Sequence, residues 1–213
     1  MYMPAHFEEQ RADVLHRLID EYPLGALVTV GPNGLDANHL PFEFDAASGP
    51  HGTLRAHVAR ANPVWREAVE RPDALVIFQG PSAYISPNWY PSKHEAHRQV
   101  PTYNYMVVHA HGRIAVRDDE RFLRGLVARL TRKHEAGEPV PWKMGDAPED
   151  FISQMLGAIV GIEIELARLV GKWKLSQNKD LADRQGALDA LRERGSDARL
   201  AVSEAMEGAL RKG

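Results

Sequence analysis

Gly31-Pro32-Asn33-Gly34 stands between two apolar runs, residues 24–30 and 35–42. A short segment of this composition between strand-like runs has the chemistry of a tight hairpin. The first strands are therefore expected to run antiparallel. A doubly wound parallel sheet needs a long helical crossover at that point, and the chain has no room for one.

The flanking segments extend this reading. Residues 10–22 place Val14, Leu15, Leu18 and Ile19 on one helical face, and Pro23 ends that helix. A third strand is expected over 53–58. Asn62-Pro63 supplies a cap and a first-turn proline for a short helix over 63–70. Residues 73–80 form a continuous apolar run, read as a buried strand, and 81–101 are proline-rich and read as loop. Val108, Ala110 and Gly112 alternate with His109, His111 and Arg113, as in a half-buried strand. Helices are expected over 118–137, with a stripe of Phe122, Leu123, Leu126, Val127 and Leu130, and over 148–159. Ile162, Ile164 and Leu166 alternate with Glu163 and Glu165 in a further strand, and a charged helical tail follows from Asp180. The sum is a mainly β chain with peripheral helices (α+β), a small and mostly antiparallel barrel.

Composition narrows the function. The net charge of −3 argues against a basic nucleic-acid footprint, and the absence of cysteine removes disulfides, thiolate nucleophiles and cysteine metal sites. No apolar run reaches the roughly 20 residues a membrane-spanning helix needs. The start, MYMPAHFEEQ, has no signal-peptide pattern, so a cytoplasmic location is expected. There is no phosphate loop of the G-x-x-x-x-G-K-[ST] type, no G-x-G-x-x-G and no G-x-S-x-G elbow. His94 and His97 are spaced i, i+3 rather than the i, i+4 of a zinc helix, and His109 and His111 share a strand face without a third ligand.

What remains is a set of polar side chains at strand ends: Asn38 and His39, Arg55 and His57 with Arg60 beyond them, and Lys172, Lys174, Ser176, Gln177 and Asn178. Thr102, Tyr103, Asn104 and Tyr105 add four hydrogen-bonding tips in a row just after Pro101. Cations and hydroxyls suit a phosphate. Amides and imidazoles suit a heteroaromatic edge, and Trp89, Tyr90 and Tyr103 suit its faces. A flat, anionic ligand with many hydrogen-bonding groups would use them all.

The segments LDANHLPFEF, GTLRAHVARANPVW, LVIFQGPSAYISPNWYPSK, VPTYNY, VHAHGRI and IVGIEI…KWKLSQN, in this order, resemble the PaiB-like family of FMN-binding negative transcriptional regulators. The family usually has Trp where this chain has Tyr103, and often Ser where it has Asn88. The resemblance implies a Greek-key split β-barrel of the kind found in pyridoxamine-phosphate-oxidase-like flavoproteins. It implies FMN as cofactor, and a homodimer with FMN at the subunit interface. Carried onto this sequence, Asn38, His39, Leu40, His57, Arg60, Asn62, Thr102, Asn104, Lys174, Ser176 and Gln177 would bind the cofactor. The flavin domain is expected to cover 1–178, with 179–213 as a helical tail packed on it or on the partner subunit. A regulatory role follows from the family. DNA as a partner has weak support, because the basic residues of the tail (Arg184, Arg192, Arg194, Arg199, Arg211, Lys212) alternate with acids and read as a solvated face. The alternatives are a flavin-dependent oxidoreductase and a split barrel holding haem or another ligand.

Overall fold

In the computed structural model, residues 1–211 are described. The chain order is β1 (Glu8–Glu9), α1 (Ala12–Glu21), β2 (Leu24–Gly31), β3 (Gly34–Pro41), β4 (Glu43–Asp45), β5 (Thr53–Ala59), α2 (Val64–Glu70), β6 (Asp73–Ile85), α3 (Pro91–Ala96), β7 (Thr102–Arg117), α4 (Glu120–Glu135), α5 (Glu149–Gly157), β8 (Ile159–Lys174), α6 (Leu181–Arg194) and α7 (Asp197–Leu210). The sheet order is β3-β2-β6-β7-β8-β5-β4, with β1 on β8. The pairs β1/β8, β2/β3, β2/β6, β4/β5 and β5/β8 are antiparallel. The architecture is the expected one, mainly β with peripheral helices and of split-barrel type, and the sheet does not close on itself.

The chain divides into two compact units. One comprises residues 19–78 and 109–169, the other 1–18, 79–108 and 170–213.

In the first unit the hairpin closes where expected. Gly31 pairs with Gly34, and Gly34 takes φ +107°, which a residue without Cβ adopts freely. Leu24 to Gly31 runs against Gly34 to Pro41 without a slip in register. β5 pairs with β8 over Thr53–Glu165 to Ala59–Ile159, and Leu54, Ala56, Val58, Ile162 and Ile164 are buried. The Asp119 carboxylate caps α4 by accepting from the Phe122 N–H at 2.7 Å. Leu123 of that helix then packs with Ile152 and Leu156 of α5.

In the second unit α6 and α7 lie with α3 and the end of β8. Asp183, 2% exposed, accepts from the Ser92 N–H at 3.0 Å and the Ser92 hydroxyl at 2.6 Å, tying α6 to the first turn of α3. Gln99 donates to both partners, at 2.7 Å to Ser92 and 3.1 Å to Asp183. The solvated face expected of this tail is corrected at two positions: Asp183 and Arg184 are buried along with Ala187, Leu188 and Leu191. A charge-rich helix is buried here because the acid finds donors 84 and 91 residues away in sequence.

Candidate functional site

The expected site residues divide between the two units. In the first, the Asn62 amide donates to the Asn38 side-chain oxygen at 2.7 Å, and the Asn62 oxygen accepts from the Val64 N–H at 3.0 Å; the cap lies one residue later than expected, at Pro63, and Asn62 braces the first helical residue from outside. Asn38 donates in turn to Asp36 at 3.1 Å. A strand alternates its faces, so Asn38 and Leu40 point to one side of β3 and His39 to the other. His39 shares its face with Leu24, Ala26, Val28 and Val30 of β2 and Leu35, Ala37 and Pro41 of β3, paired as Leu24–Pro41, Ala26–His39, Val28–Ala37 and Val30–Leu35. That face is apolar but for the histidine, and Leu35 is 79% exposed.

Arg60 is largely engaged. Its guanidinium grips Asp118 at 2.6 and 2.9 Å and donates to the Gly157 and Ile159 carbonyls at 2.7 and 3.0 Å. This clamp fixes the exit of β5 and leaves Arg60 little to offer a ligand. The hydrogen bond and charge of Arg60 hold the Asp118 carboxyl below the usual range.

His57 is different. Its Nδ1 is buried and has no hydrogen-bond partner among the described residues. Burial also lowers its pKa below the ordinary histidine value, so the ring is neutral at pH 7. A buried imidazole nitrogen left unpaired is uncommon and points to a missing partner.

In the second unit Thr102 and Asn104, on one face of β7, meet the end of β8. The Lys174 ammonium donates to the Thr102 hydroxyl and to the Tyr103 carbonyl at 2.5 Å. Burial, followed by the charges of Lys172 and Lys179, lowers the pKa of Lys174. Two donor hydrogens are spent and a third remains. Asn104, fully buried, exchanges hydrogen bonds with Ser176 at 3.0 and 3.2 Å and reaches the Met206 sulfur at 3.3 Å. Gln177 closes a local turn, accepting from the Leu175 N–H at 2.7 Å and donating to the Trp173 carbonyl at 2.6 Å. Asn104, Ser176 and Gln177 therefore hold the strand end in shape, while Lys174 keeps capacity for an anion.

The row of polar tips at 102–105 thus separates by alternation. Thr102 and Asn104 turn inward to Lys174 and Ser176. Tyr103 is 58% exposed and meets Tyr84 edge to face at 5.8 Å, and Tyr105 lies 5.6 Å under the Lys172 ammonium. Sequence reading missed Tyr84 because Pro81 appeared to end β6. The alternation of Tyr84 with buried Ala83 and Ile85 is the signal that could have found it.

Burial lowers the pKa of His57, His109 and His111 alike, each from an ordinary value of 6.5. Below that pH the unfolded chain takes up protons that the folded chain resists. The stability these groups contribute is complete above about pH 6.5 and falls as the pH drops through their folded values. The slope is at most about 1.4 kcal/mol per pH unit for each. Urea midpoints should therefore fall between pH 7 and 5, and more shallowly in His57→Gln. A flat profile in the wild type contradicts this. Glu163 titrates lower: hydrogen bonds from Arg117 and Arg55 hold it below the carboxylate range although burial pushes the other way.

No helix among the described residues is long and apolar enough to cross a membrane. No group of three or more metal-ligating side chains occurs among them.

Residues 1–168 match the family model described as a putative FMN-binding domain. Over 214 aligned residues, covering 100% of this chain and 99% of the relative, the sequence is 32% identical to the protease synthase and sporulation protein PAI 2 of Bacillus subtilis. Among solved structures it is similar to the FAD and heme binding protein from Mycobacterium smegmatis, with TM-score 0.60, 15% identity and coverage of 84% of this chain and 79% of that one. It is also similar to the flavocytochrome Anf3 from Azotobacter vinelandii, with TM-score 0.58, 12% identity and coverage of 81% and 72%. At these identities the structural likeness is one of fold.

Proposed function

This chain belongs to the PaiB-like family of putative FMN-binding domains, and from that premise we propose that it is a flavin-binding regulator, working as a homodimer with FMN at the subunit interface. The observation that carries the reading is the buried, unpartnered Nδ1 of His57. A flavin ring presents N–H and carbonyl groups along its edge, and a neutral imidazole can serve either kind. In the other unit Lys174, with Lys172 and Lys179 raising the positive potential around it, keeps a donor for a phosphate. FMN would supply the redox chemistry when bound, and the protein its binding and orientation. Within their own units Thr102 holds Lys174 and Asn62 holds Asn38.

Regulation by direct DNA contact has little support. Arg192 and Arg211 share Glu207 at 2.9 and 3.1 Å, and Arg194 meets Glu193 at 3.4 Å and lies 4.9 Å over the Trp89 ring. Spent arginines of this kind add little to a phosphate-tracking surface. In the oxidoreductase reading the Lys174 ammonium would meet the ring instead of the phosphate and stabilise its reduced, anionic form. Bleaching of the bound flavin by NADPH or a reduced deazaflavin would support it.

The purified protein should show flavin absorbance, or gain it on adding FMN, with FMN identified by mass after release. His57→Ala should weaken FMN binding by about tenfold or more, as expected for a lost hydrogen bond with its partner left unpaired. A colourless protein that ignores FMN and FAD would overturn the cofactor, and unchanged affinity in His57→Ala would remove His57 from the site.

A further inference from the structure

Arg184, in the first turn of α6, is a buried cation with unspent hydrogen bonds. The residue is 9% exposed, and neither its Nε nor its Nη2 has an acceptor. These two nitrogens form one edge of the guanidinium, the fork that takes a carboxylate or phosphate through two parallel bonds. A guanidinium cannot escape burial by losing its proton, and an unpaired buried charge is costly. The other buried charges are provided for: Lys172 donates to the Tyr2 carbonyl at 3.1 Å, and Asp183 accepts from Ser92 and Gln99.

Arg184 lines a cavity of about 470 Å³ within its own unit. That size suits a small organic molecule. Two acids share the wall but are engaged elsewhere. Glu9 accepts from the Arg11 side chain at 2.8 Å, and Glu8 from Gln10 at 2.9 Å. Arg17, exposed on α1, adds a second cation. Arg11, bound to Glu9, and Gln177, bound to the Leu175 N–H and the Trp173 carbonyl, are the other polar groups, and the rest is apolar or small, with Trp173 and Leu175 on the strand side and Ala205 and Gly208 on α7. A Cβ placed on Gly208 would meet nothing within 4 Å, so the helix leaves this space open. Trp173 alternates with Lys174 on β8, which puts the cavity across the strand from the lysine.

We infer that this cavity is a second binding site, separate from the flavin site, for a small organic oxyanion: a carboxylate or phosphate ester on a compact apolar body. Arg184 stands in the cavity wall with its unpaired Nε–Nη2 edge closed to water just behind it, so a bound anion reaches that edge by a turn of the guanidinium, while Trp173, Leu175 and α7 cover an apolar body. A metabolite bound there would touch α1, α6, α7 and the end of β8 and, resting on the regulatory function proposed above, would act as its effector.

Isothermal titration of the full chain with benzoate, phenyl phosphate and inorganic phosphate tests this. At least one organic probe should saturate at one molecule per chain. Stronger binding of benzoate would identify a carboxylate ligand, and stronger binding of phenyl phosphate a phosphate ester. Arg184→Lys keeps the charge but loses the fork, and should weaken binding by about tenfold or more. Gly208→Leu fills the space without touching the arginine and should abolish binding, with the melting temperature reporting that the fold survives. The inference is overturned by any of four results: no saturable heat from either organic probe up to about 10 mM, a range that covers weak binding; unchanged binding in Gly208→Leu; inorganic phosphate binding as tightly as the organic probes; or displacement of the bound probe by FMN.

Discussion

Gly112→Ala is expected to cost about 3 kcal/mol and Gly112→Val to prevent folding. A Cβ at this position of β7 would stand 2.3 Å from the Glu165 carbonyl oxygen and 2.7 Å from Cγ2 of Ile164. The oxygen is main chain of β8, whose Glu165 is itself paired with Thr53 of β5. Relaxation would have to move a paired strand, unlike the adjustment of a side-chain tip. At about 2–4 °C per kcal/mol for a chain of this size, alanine should lower the melting temperature by about 10 °C. Gly208→Ala makes the contrast. It lies inside α7 with nothing within 4 Å, and alanine there should raise stability by about 0.5–1 kcal/mol. Equal effects from the two substitutions would mean that the close approach of β7 to Glu165 is not what constrains Gly112.

The sequence showed those parts of the fold whose cause is local. The hairpin at 31–34 rests on turn residues, α4 on a stripe repeating every three or four positions, and β8 on the alternation of Ile162, Glu163, Ile164 and Glu165. Where a local rule conflicted with tertiary context, the reading stopped short. Pro81 removes a donor and so looked like the end of β6, yet the strand continues to Ile85. β1 is two residues long and carries no periodicity at all. The site was legible by residue type and illegible by partner. Polarity marked Thr102, Asn104, Lys174 and Ser176, but their pairing spans 72 residues of sequence, and only the fold shows that Asn104 is consumed by it. Arg60 looked like a free cation until Asp118 was seen opposite it. Arg184 failed in the other direction: surrounded by charged neighbours in sequence, it read as solvated, whereas it is buried with its Nε edge unpaired.

Leu35→Lys is expected to convert the proposed dimer to a monomer and to release its flavin in the same step. Leu24, Val30 and Leu35 are 63%, 50% and 79% exposed, and Val30 and Leu35 are cross-strand partners on the outward face of the hairpin. β3 ends the sheet order, so its outer edge is also open, a condition that proteins commonly relieve by covering the strand. A two-fold interface uses each patch from both subunits. Burying one leucine contributes about 1.5–3 kcal/mol, so the substitution removes roughly twice that and weakens the dimer about a hundredfold to ten-thousandfold. His39 is the polar group on this face, in register with Ala26, and would be carried into the interface with it. Light scattering and the flavin-to-protein absorbance ratio should fall together for Leu35→Lys. Val140→Lys, at an 88% exposed position outside the hairpin, should change neither. A monomer that keeps its FMN would place the cofactor within one chain and leave the apolar hairpin face to another partner. A dimer that survives the lysine would move the interface off β3 altogether.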